Sequence, residues 1–294
     1  MKLRLGVRGM MWLTLVIMMW GIISCRTQEE KCLEEVLSLP LANKEELQKV
    51  LDHYKDDSLK YQAVCFLIRN MPFHAGYEGN ALKHYYQYFD IYAQGKLGPH
   101  EVIDSLKENS FSVSQLKRIE DIANIDSSLL VQNVDWAFKV WREQPWGKNV
   151  SFDNFCEFVL PYRLGDEPLG FWREDIYKRY NPILDSIRLL PQAQDPLVAA
   201  KVLMDSLVVE QSHFTGLFPA GPHLGPSVVS WRAGSCREFA DLLVYVMRAL
   251  VFLAGQTIWR CVEIITCRIS GILHWIKMEK RILRNFPILI GNGL

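Results

Sequence analysis

An amphipathic segment near the end of the chain, residues 236–250, constrains the fold more than any other feature. Ser235 and Glu238 have the spacing of a capping box, which predicts that a helix begins between them. Behind this box, apolar residues recur at steps of three and four: Phe239, Leu242, Leu243, Val246, Met247 and Leu250. A stripe of that width has to be buried against other elements. The segment therefore predicts a core helix with Cys236 at its first position.

The chain from Asn43 to about Glu210 divides into further helical segments. We predict helix starts at Asn43 with Glu46, at Ser58, at Ser127 or Ser128, at Ser151, and at Asp195 before Pro196. The Trp and Phe residues at helical spacing between these caps are predicted core residues, and Cys65 and Cys156 are predicted packed thiols. The sequence shows no repeat, no Gly-rich phosphate loop and no metal-type His pair. We interpret this region as scaffold.

The charge balance argues against one class of partner. The chain has 294 residues with 33 basic and 33 acidic side chains, so its formal net charge is zero. A nucleic-acid-binding protein needs a surplus of Lys and Arg to neutralise phosphates. We therefore expect no nucleic-acid partner, and nothing in the sequence implies a cofactor or a resident metal ion.

The amino terminus has the pattern of an export signal. Basic residues precede an apolar run from Met10 to Ile23, and Ser24-Cys25 follows it. The run is shorter than the roughly 20 apolar residues that a membrane span needs. A Ser followed by Cys at this point resembles the signal of bacterial lipoproteins, in which the Cys is lipidated and becomes the first mature residue. The alternative is an uncleaved anchor with an incidental cysteine.

The lipoprotein resemblance implies three things about the first 42 residues. Residues 1–24 are expected to be a signal peptide, Cys25 is expected to carry the lipid, and residues 25–42 are expected to be a polar tether. The partner implied is the membrane, through the lipid on Cys25. We therefore expect a cell-envelope protein of a Gram-negative bacterium, at the periplasmic face or the cell surface.

Cys236 is the residue for which the sequence predicts chemistry. At the first position of a helix, unpaired backbone amides and the positive end of the helix dipole stabilise a thiolate. Gly234 is expected to leave the approach to the sulfur unobstructed. The backbone N–H of Cys236 can also face an oxyanion. The pattern predicts a thiol nucleophile.

The run from Gly234 to Leu242, Gly-Ser-Cys-Arg-Glu-Phe-Ala-Asp-Leu, resembles the nucleophile motif of transglutaminase-like proteins. Two upstream runs, 66–72 and 155–173, resemble the helical region of Bacteroides-type lipoproteins of that family. The resemblance covers most of residues 58–250. It implies a papain-like fold in which a Cys, a His and an Asp act together.

The same resemblance implies a function and an organisation. Cys236 would attack an amide carbonyl, with Trp231 supporting the oxyanion region, and the substrate would be a peptide or a peptidoglycan stem. The expected fold class is α+β. A mostly helical domain over residues 43–210 is followed by an incomplete papain-like, transglutaminase-like core that starts over 211–250, and residues 251–294 form an aberrant tail.

After Leu250 the sequence departs from that family, which continues with a turn, a strand bearing His and a strand bearing Asp. The last Asp of this chain is Asp241. A shift of reading frame at Leu250 explains the difference. When the third base of each codon is read together with the first two bases of the following codon, the codons of this chain permit Gly-Ile-Pro at this point and Pro-His-Phe-Trp-Asn further on. In that frame Trp275-Ile276 can only encode Asp, and Met278-Glu279 can only encode Gly. We interpret residues 251–294 as out of frame, and we expect the chain as written to be inactive for lack of the His and Asp.

Other interpretations stay open. If the tail is genuine, His274 is the remaining candidate base for Cys236. A metal site could draw on the same histidine with Cys261 and Cys267, although this spacing matches no common zinc pattern. Two further histidines, His213 and His223, lie among Gly and Pro and are interpreted as loop residues. The competing functional class is a non-catalytic binding or structural lipoprotein of the cell envelope.

Resequencing the gene tests the frame-shift hypothesis. From the Leu250 codon through several hundred bases beyond the present stop, we expect one gained or lost base, or a second frame that stays open. That frame should encode His-x-Trp-Asn after the nucleophile helix, and later an Asp. An unchanged sequence with an early stop in the other frame contradicts the hypothesis and leaves the tail genuine.

Overall fold

The computed structural model describes residues 28–108, 112–209, 213–214 and 221–252. Over these residues the protein belongs to the α+β class and is mostly helical, with two small sheets. No helix in this part of the chain is both long enough and apolar enough to cross a membrane. Several predictions lie outside the described residues: the signal over 1–24, Cys25, Cys261, Cys267, His274, and the tail from residue 253 onward.

The chain divides into two compact units at residue 42. In the described part of the first unit, helix α1 (Gln28–Leu37) has Glu29 and Glu30 in its first turn. Carboxylates at that end are favourable because they face the positive end of the helix dipole. This helix occupies part of the stretch for which the sequence predicted a polar tether.

The second unit contains the remaining described helices and strands. In chain order they are α2 (Lys44–His53), α3 (Ser58–Asn70), β1 (Ala75–Glu78), α4 (Asn80–Ala93), α5 (Pro99–Glu108), β2 (Lys117–Glu120), α6 (Asp121–Asn124), α7 (Ser127–Glu143), α8 (Phe152–Asn154), α9 (Arg173–Tyr180), α10 (Asp185–Arg188), α11 (Pro196–Val209), β3 (His213–Phe214), α12 (Ser227–Trp231), β4 (Ala233–Gly234) and α13 (Cys236–Ala249). A π-helical segment, Phe155–Val159, continues α8, and 3-10 turns occupy Met71–Phe73, Val113–Gln115, Pro145–Asn149 and Asn181–Leu184.

The two sheets are small and differ in direction. Strands β1 and β2 pair antiparallel, with Ala75 opposite Glu120 and Glu78 opposite Lys117. Strands β3 and β4 pair parallel over two residues, with His213 opposite Ala233. The second sheet leads directly into α13, so it fixes the point at which the chain enters that helix.

The predicted helix starts are correct in position, but some capping residues differ. The capping side chains of α3 and α7 are Asp57 and Asp126, one residue before the serines predicted. The carboxylate of Asp126 accepts a hydrogen bond from the Leu129 amide at 2.8 Å. A carboxylate both satisfies a free amide and faces the positive helix end, so it is the favoured cap over the neighbouring hydroxyl.

The capping box predicted at Asn43 and Glu46 is absent. Asn43 makes no side-chain cap to α2, and its amide group instead faces the carbonyl of Ile125 at 3.5 Å. Glu46 accepts a hydrogen bond from the Ser127 amide at 2.7 Å. Both side chains therefore join α2 to the start of α7. The Glu46 carboxylate satisfies a backbone amide at the start of α7 instead of one at the start of its own helix. The caps predicted at Ser151 and at Asp195 before Pro196 are confirmed.

One cluster of buried residues contains five residues of α13: Leu242, Leu243, Tyr245, Val246 and Ala249. Residues of α4, α9 and α11 pack with it, and the largest side chains of the cluster with under 2% exposure are Trp146, Tyr85, Tyr180, Tyr245 and Phe89. The indole N–H of Trp146 donates to the Leu250 carbonyl at 2.8 Å, and its ring stacks on Phe252 at 5.0 Å. Of the apolar stripe predicted for this segment, Leu242, Leu243, Val246 and Leu250 are buried, whereas Phe239 and Met247 are half-buried. Cys65 and Cys156 are buried as predicted.

A buried arginine joins three parts of this core. The Arg173 guanidinium donates to the carbonyls of Leu160 at 2.9 Å and Pro161 at 3.0 Å, just beyond the π-helical segment. Its Nε donates to Asn133 Oδ1 of α7 at 2.6 Å. The last carbonyls of a helix lack partners within the helix, and a cation at that end is favourable. Arg173 therefore acts as a cap supplied by another helix.

Replacing Arg173 by Gln should destabilise the protein by about 3 kcal/mol, because several buried carbonyls then lose their donor. Urea unfolding followed by far-UV circular dichroism measures this. The matched control is Arg118→Gln, since Arg118 is exposed and pairs with Glu120 on the surface. That change should cost less than about 1 kcal/mol. Equal losses for the two variants contradict the capping role.

Candidate functional site

Helix α13 begins at Cys236, as the sequence predicted. The Glu238 carboxylate accepts from the Ser235 backbone amide at 2.7 Å, and the Ser235 hydroxyl accepts from the Arg237 amide at 3.3 Å. The capping box is therefore formed. The Cys236 side chain is exposed, whereas the rest of the helix is mostly buried. The thiol stands at the accessible end of a rigid element.

The other described cysteines differ from Cys236 in exposure. Cys65 and Cys156 are buried, and Cys32 is half-buried. Burial raises the pKa of Cys156 to about 12, because an apolar environment disfavours the thiolate. Among the thiols that the structure describes, Cys236 is thus the one most open to a substrate or reagent.

Gly234 adopts a backbone conformation that favours glycine. Its φ of +133° is a conformation that residues with a side chain rarely adopt. A Cβ at this position would lie 2.5 Å from Cγ of Glu238. The glycine is required because the chain turns sharply into α13 and because the capping glutamate folds back over it. The predicted open approach to the Cys236 sulfur stays a prediction.

An ion pair next to Cys236 fixes a neighbouring loop. Arg237 donates to Glu238 Oε1 at 2.7 Å through Nε, and through its terminal nitrogens to the carbonyls of Gly221 at 2.6 Å and Pro222 at 3.2 Å. Burial favours the neutral form of Glu238, but the Arg237 charge and the hydrogen bonds from Ser235 outweigh it and lower the pKa of Glu238. The residues before His223 are therefore held against the start of α13.

His223 forms a close pair with Asp241 of the same helix. The imidazole Nδ1 lies 2.7 Å from Asp241 Oδ2, and the side chains are 17% and 1% exposed. Burial opposes the charged imidazole, yet the hydrogen bond and charge of Asp241 raise the pKa of His223 above its usual value. Burial also raises the pKa of Asp241, and the hydrogen bond to His223 opposes this. The arrangement is an imidazole oriented by a buried carboxylate.

The loop over residues 163–167 holds this pair from the other side. The His223 amide donates to Asp166 Oδ1 at 2.7 Å. The imidazole lies so close to Gly165 that a Cβ there would be 2.4 Å from the ring. Glu167 accepts from the amides of Leu164 at 2.6 Å and Gly165 at 2.7 Å. Backbone contacts thus set the position of the ring.

Glu167 also connects this loop to the middle of α13. It is 1% exposed and accepts a hydrogen bond from the Tyr245 hydroxyl at 2.6 Å. Burial alone would raise its pKa, but the hydrogen bonds from Tyr245 and the loop amides, together with Arg163, hold the pKa below the usual value. A second buried carboxylate therefore faces the same helix.

Trp231 and His213 are two further residues singled out by the sequence that the structure describes. The ring of Trp231 contacts Tyr86 and Phe89 of α4, with centroids 5.3 and 6.0 Å apart. Its support of an oxyanion stays a prediction. His213 lies in the short strand β3. In the described part of the chain, no group of three or more His, Cys, Asp or Glu could hold a metal ion.

Sequence reasoning missed the pairing of His223. The residue is in a loop, as predicted, but its side chain is mostly buried and bonded to Asp241. The two residues are separated by 18 positions, and no local pattern connects them. One signal was present: Asp241 falls inside the apolar pattern of α13, and a buried carboxylate requires a partner.

Asp241→Asn should lower the pKa of His223, because the neutral amide no longer stabilises the imidazolium. In the wild type the pKa of His223 is raised, so the His223–Asp241 pair contributes its full stability at pH values below 6.5, the pKa of histidine in the unfolded chain. This contribution is lost as the pH rises through the pKa of His223 in the folded protein. The variant should lose about 1 kcal/mol on the acidic side of that transition.

An NMR titration of the imidazole measures the pKa, and unfolding curves at several pH values measure the stability. Asp104→Asn is the matched control, since Asp104 is an exposed carboxylate paired with Lys107 on α5. The pairing is contradicted if Asp241→Asn leaves the His223 titration where it was.

Comparisons with family models, curated proteins and solved structures find no match for this chain.

Proposed function

We propose that this protein is a transglutaminase-like lipoprotein of the cell envelope, and that its site derives from cysteine-dependent amide hydrolysis or acyl transfer. The observation that supports this most is the position of Cys236. It is an exposed thiol at the first turn of a buried helix, next to an intact capping box. A thiol at this position is accessible to a substrate, and the free backbone amides of the first turn can face an oxyanion.

In the proposed chemistry the Cys236 sulfur attacks the carbonyl carbon of an amide. The C–N bond then breaks, the amine leaves with a proton, and an acyl thioester remains on the sulfur. Water or a second amine resolves the thioester and regenerates the thiol. The substrate proposed is a peptide or a peptidoglycan stem, presented to a protein that is tethered through lipid on Cys25.

The fold part of the proposal concerns α13. In a papain-like core, a helix with the nucleophile at its first turn packs against a sheet. Here α13 has the nucleophile position and a buried stripe, and the two-residue strand β4 precedes it. We propose that α13 is the nucleophile helix of such a core, and that the downstream His and Asp of the ancestral site are missing from the chain as written. Leaving-group protonation is then unassisted, so turnover is not expected.

A competing proposal is a non-catalytic binding or structural lipoprotein. The sequence observation that favours it is that no Asp follows Asp241. In this case the fold would present a surface, and Cys236 would have the reactivity of an ordinary exposed thiol. The two proposals differ in whether Cys236 forms an acyl thioester.

An activated acyl ester tests the proposal. Mixing the protein with p-nitrophenyl acetate should release a burst of about one equivalent of nitrophenol per chain, followed by little turnover. Cys236→Ser should abolish the burst. Cys32→Ser, which changes a half-buried thiol of the first unit, should leave it intact.

Mass spectrometry of the quenched reaction should locate the acetyl group on Cys236. If there is no burst, or if the acetyl group lies elsewhere, the binding alternative is favoured. Continued rapid turnover of an amide substrate, abolished by Cys236→Ser, would show that the chain as written is an active enzyme.

A further inference from the structure

Helix α13 ends in a hydrogen-bonded turn. The Phe252 amide donates to the Met247 carbonyl at 2.9 Å, and the Val251 amide donates to the Arg248 carbonyl at 3.3 Å. These two bonds are those of the Schellman motif, in which the residue after the helix cap adopts the left-handed conformation. The cap here is Leu250, and Val251 has a φ of +62°. The backbone of the motif is therefore complete.

The side chain at the left-handed position does not suit that conformation. Glycine is the residue usually found there, because a Cβ crowds the neighbouring carbonyl when φ is positive. Valine is β-branched, and a positive φ for such a residue is a genuine outlier. Among the described residues, Arg232 is the other non-glycine residue with a positive φ, and its guanidinium donates to the Tyr180 hydroxyl and the Leu207 carbonyl. The apolar side chain of Val251 cannot form such bonds.

The packing around the turn holds the backbone in this conformation. The Trp146 indole N–H donates to the Leu250 carbonyl at 2.8 Å, and the Trp146 ring stacks on the Phe252 ring with centroids 5.0 Å apart. The residues on both sides of Val251 are thus fixed to the same indole. Strained backbone persists only where its surroundings over-determine it. The core therefore sets the left-handed conformation, and residue 251 has to accept it.

The second reading frame permits a residue that fits this position. Its codon joins the third base of the Leu250 codon to the first two bases of the Val251 codon, which are G and T. The product can only be Ser, Arg, Gly or Cys. Of these, glycine is the one that adopts a positive φ at little cost. At position 252 the same frame encodes Ile, Leu, Val or Phe, so an apolar side chain is retained beside Trp146.

We infer that position 251 belongs to a glycine and that Val251 is the first residue of this chain to be read out of frame. Two independent observations coincide at this residue: the folded backbone is left-handed there, and the second frame permits a glycine. The break then lies between the Leu250 and Val251 codons, so all of α13 is in frame. This goes beyond the proposed function, because the turn requires glycine whether or not Cys236 is catalytic.

The base at the codon junction gives the first test. A glycine codon arises only if the Leu250 codon ends in G, since this base precedes the G and T of the Val251 codon. Sequencing the gene across the junction should therefore show G as the third base of the Leu250 codon. A Leu250 codon that ends in A, C or T overturns the inference.

Substitutions at position 251 give the second test. Val251→Gly and Val251→Ala both remove the buried, branched side chain, and they differ in whether a Cβ remains. In urea unfolding of the full chain, followed by far-UV circular dichroism, the unfolding equilibrium constant of Val251→Gly should be roughly three- to tenfold smaller than that of Val251→Ala. The matched control is Ala200→Gly in α11. There glycine should raise the unfolding constant, because it is unfavourable within a helix.

The order of the two variants decides the outcome. If Val251→Ala is at least as stable as Val251→Gly, position 251 does not require glycine and the inference is overturned. If neither variant folds, Val251→Asn is compared with Val251→Thr, which keeps the branch at Cβ. Asn adopts the left-handed conformation more readily than β-branched residues do. Val251→Asn should then be the more stable of the two, and the reverse order overturns the inference.

Neither test depends on the chemistry of Cys236, so the two proposals fail in different ways. A chain that meets both expectations but gives no acyl burst with p-nitrophenyl acetate contradicts the proposed function and leaves a glycine at position 251. A chain that gives the burst, but whose Leu250 codon does not end in G, contradicts the glycine alone.

Discussion

The packing of the second unit depends on a guanidinium buried among backbone carbonyls. Arg173 donates to the carbonyls that follow the π-helical segment and to Asn133 of α7. Arg248 of α13 repeats the arrangement, with bonds to the carbonyls of Phe158 at 3.0 Å and Arg163 at 2.8 Å. Charged donors satisfy polar groups that a hydrophobic contact would leave without partners. Because these carbonyls have partners, the irregular stretch that follows the π-helical segment, residues 160–163, can run through the core.

That irregular stretch is what positions the candidate site. From its buried start it continues into the 163–167 loop, which contacts the His223 ring and supports α13 through Glu167. Among the described residues, buried arginines and buried carboxylates are equal in number, four of each. Buried charges are tolerated when each has a partner. The exposed Cys236 and much of the buried network thus belong to one helix.

Whether the sequence predicted an interaction correctly depends on how far apart the interacting residues are in the chain. The capping box at Ser235 and Glu238 is made by neighbours in the chain, so its spacing was sufficient to predict the start of α13. The box expected at Asn43 and Glu46 has the same type of spacing, but both side chains bond to the start of α7 instead. A local pattern shows which groups are available, and a distant element decides which partner they take.

The sequence by itself determined that the chain forms amphipathic helices and that a cysteine stands at the first turn of one of them. It did so because helical periodicity and caps involve residues at most four positions apart. Only the tertiary structure decided that Asp241 would pair with His223 and that Arg173 would cap a segment of another part of the chain. These contacts join residues far apart in sequence, and their energies exist only once the core has excluded water.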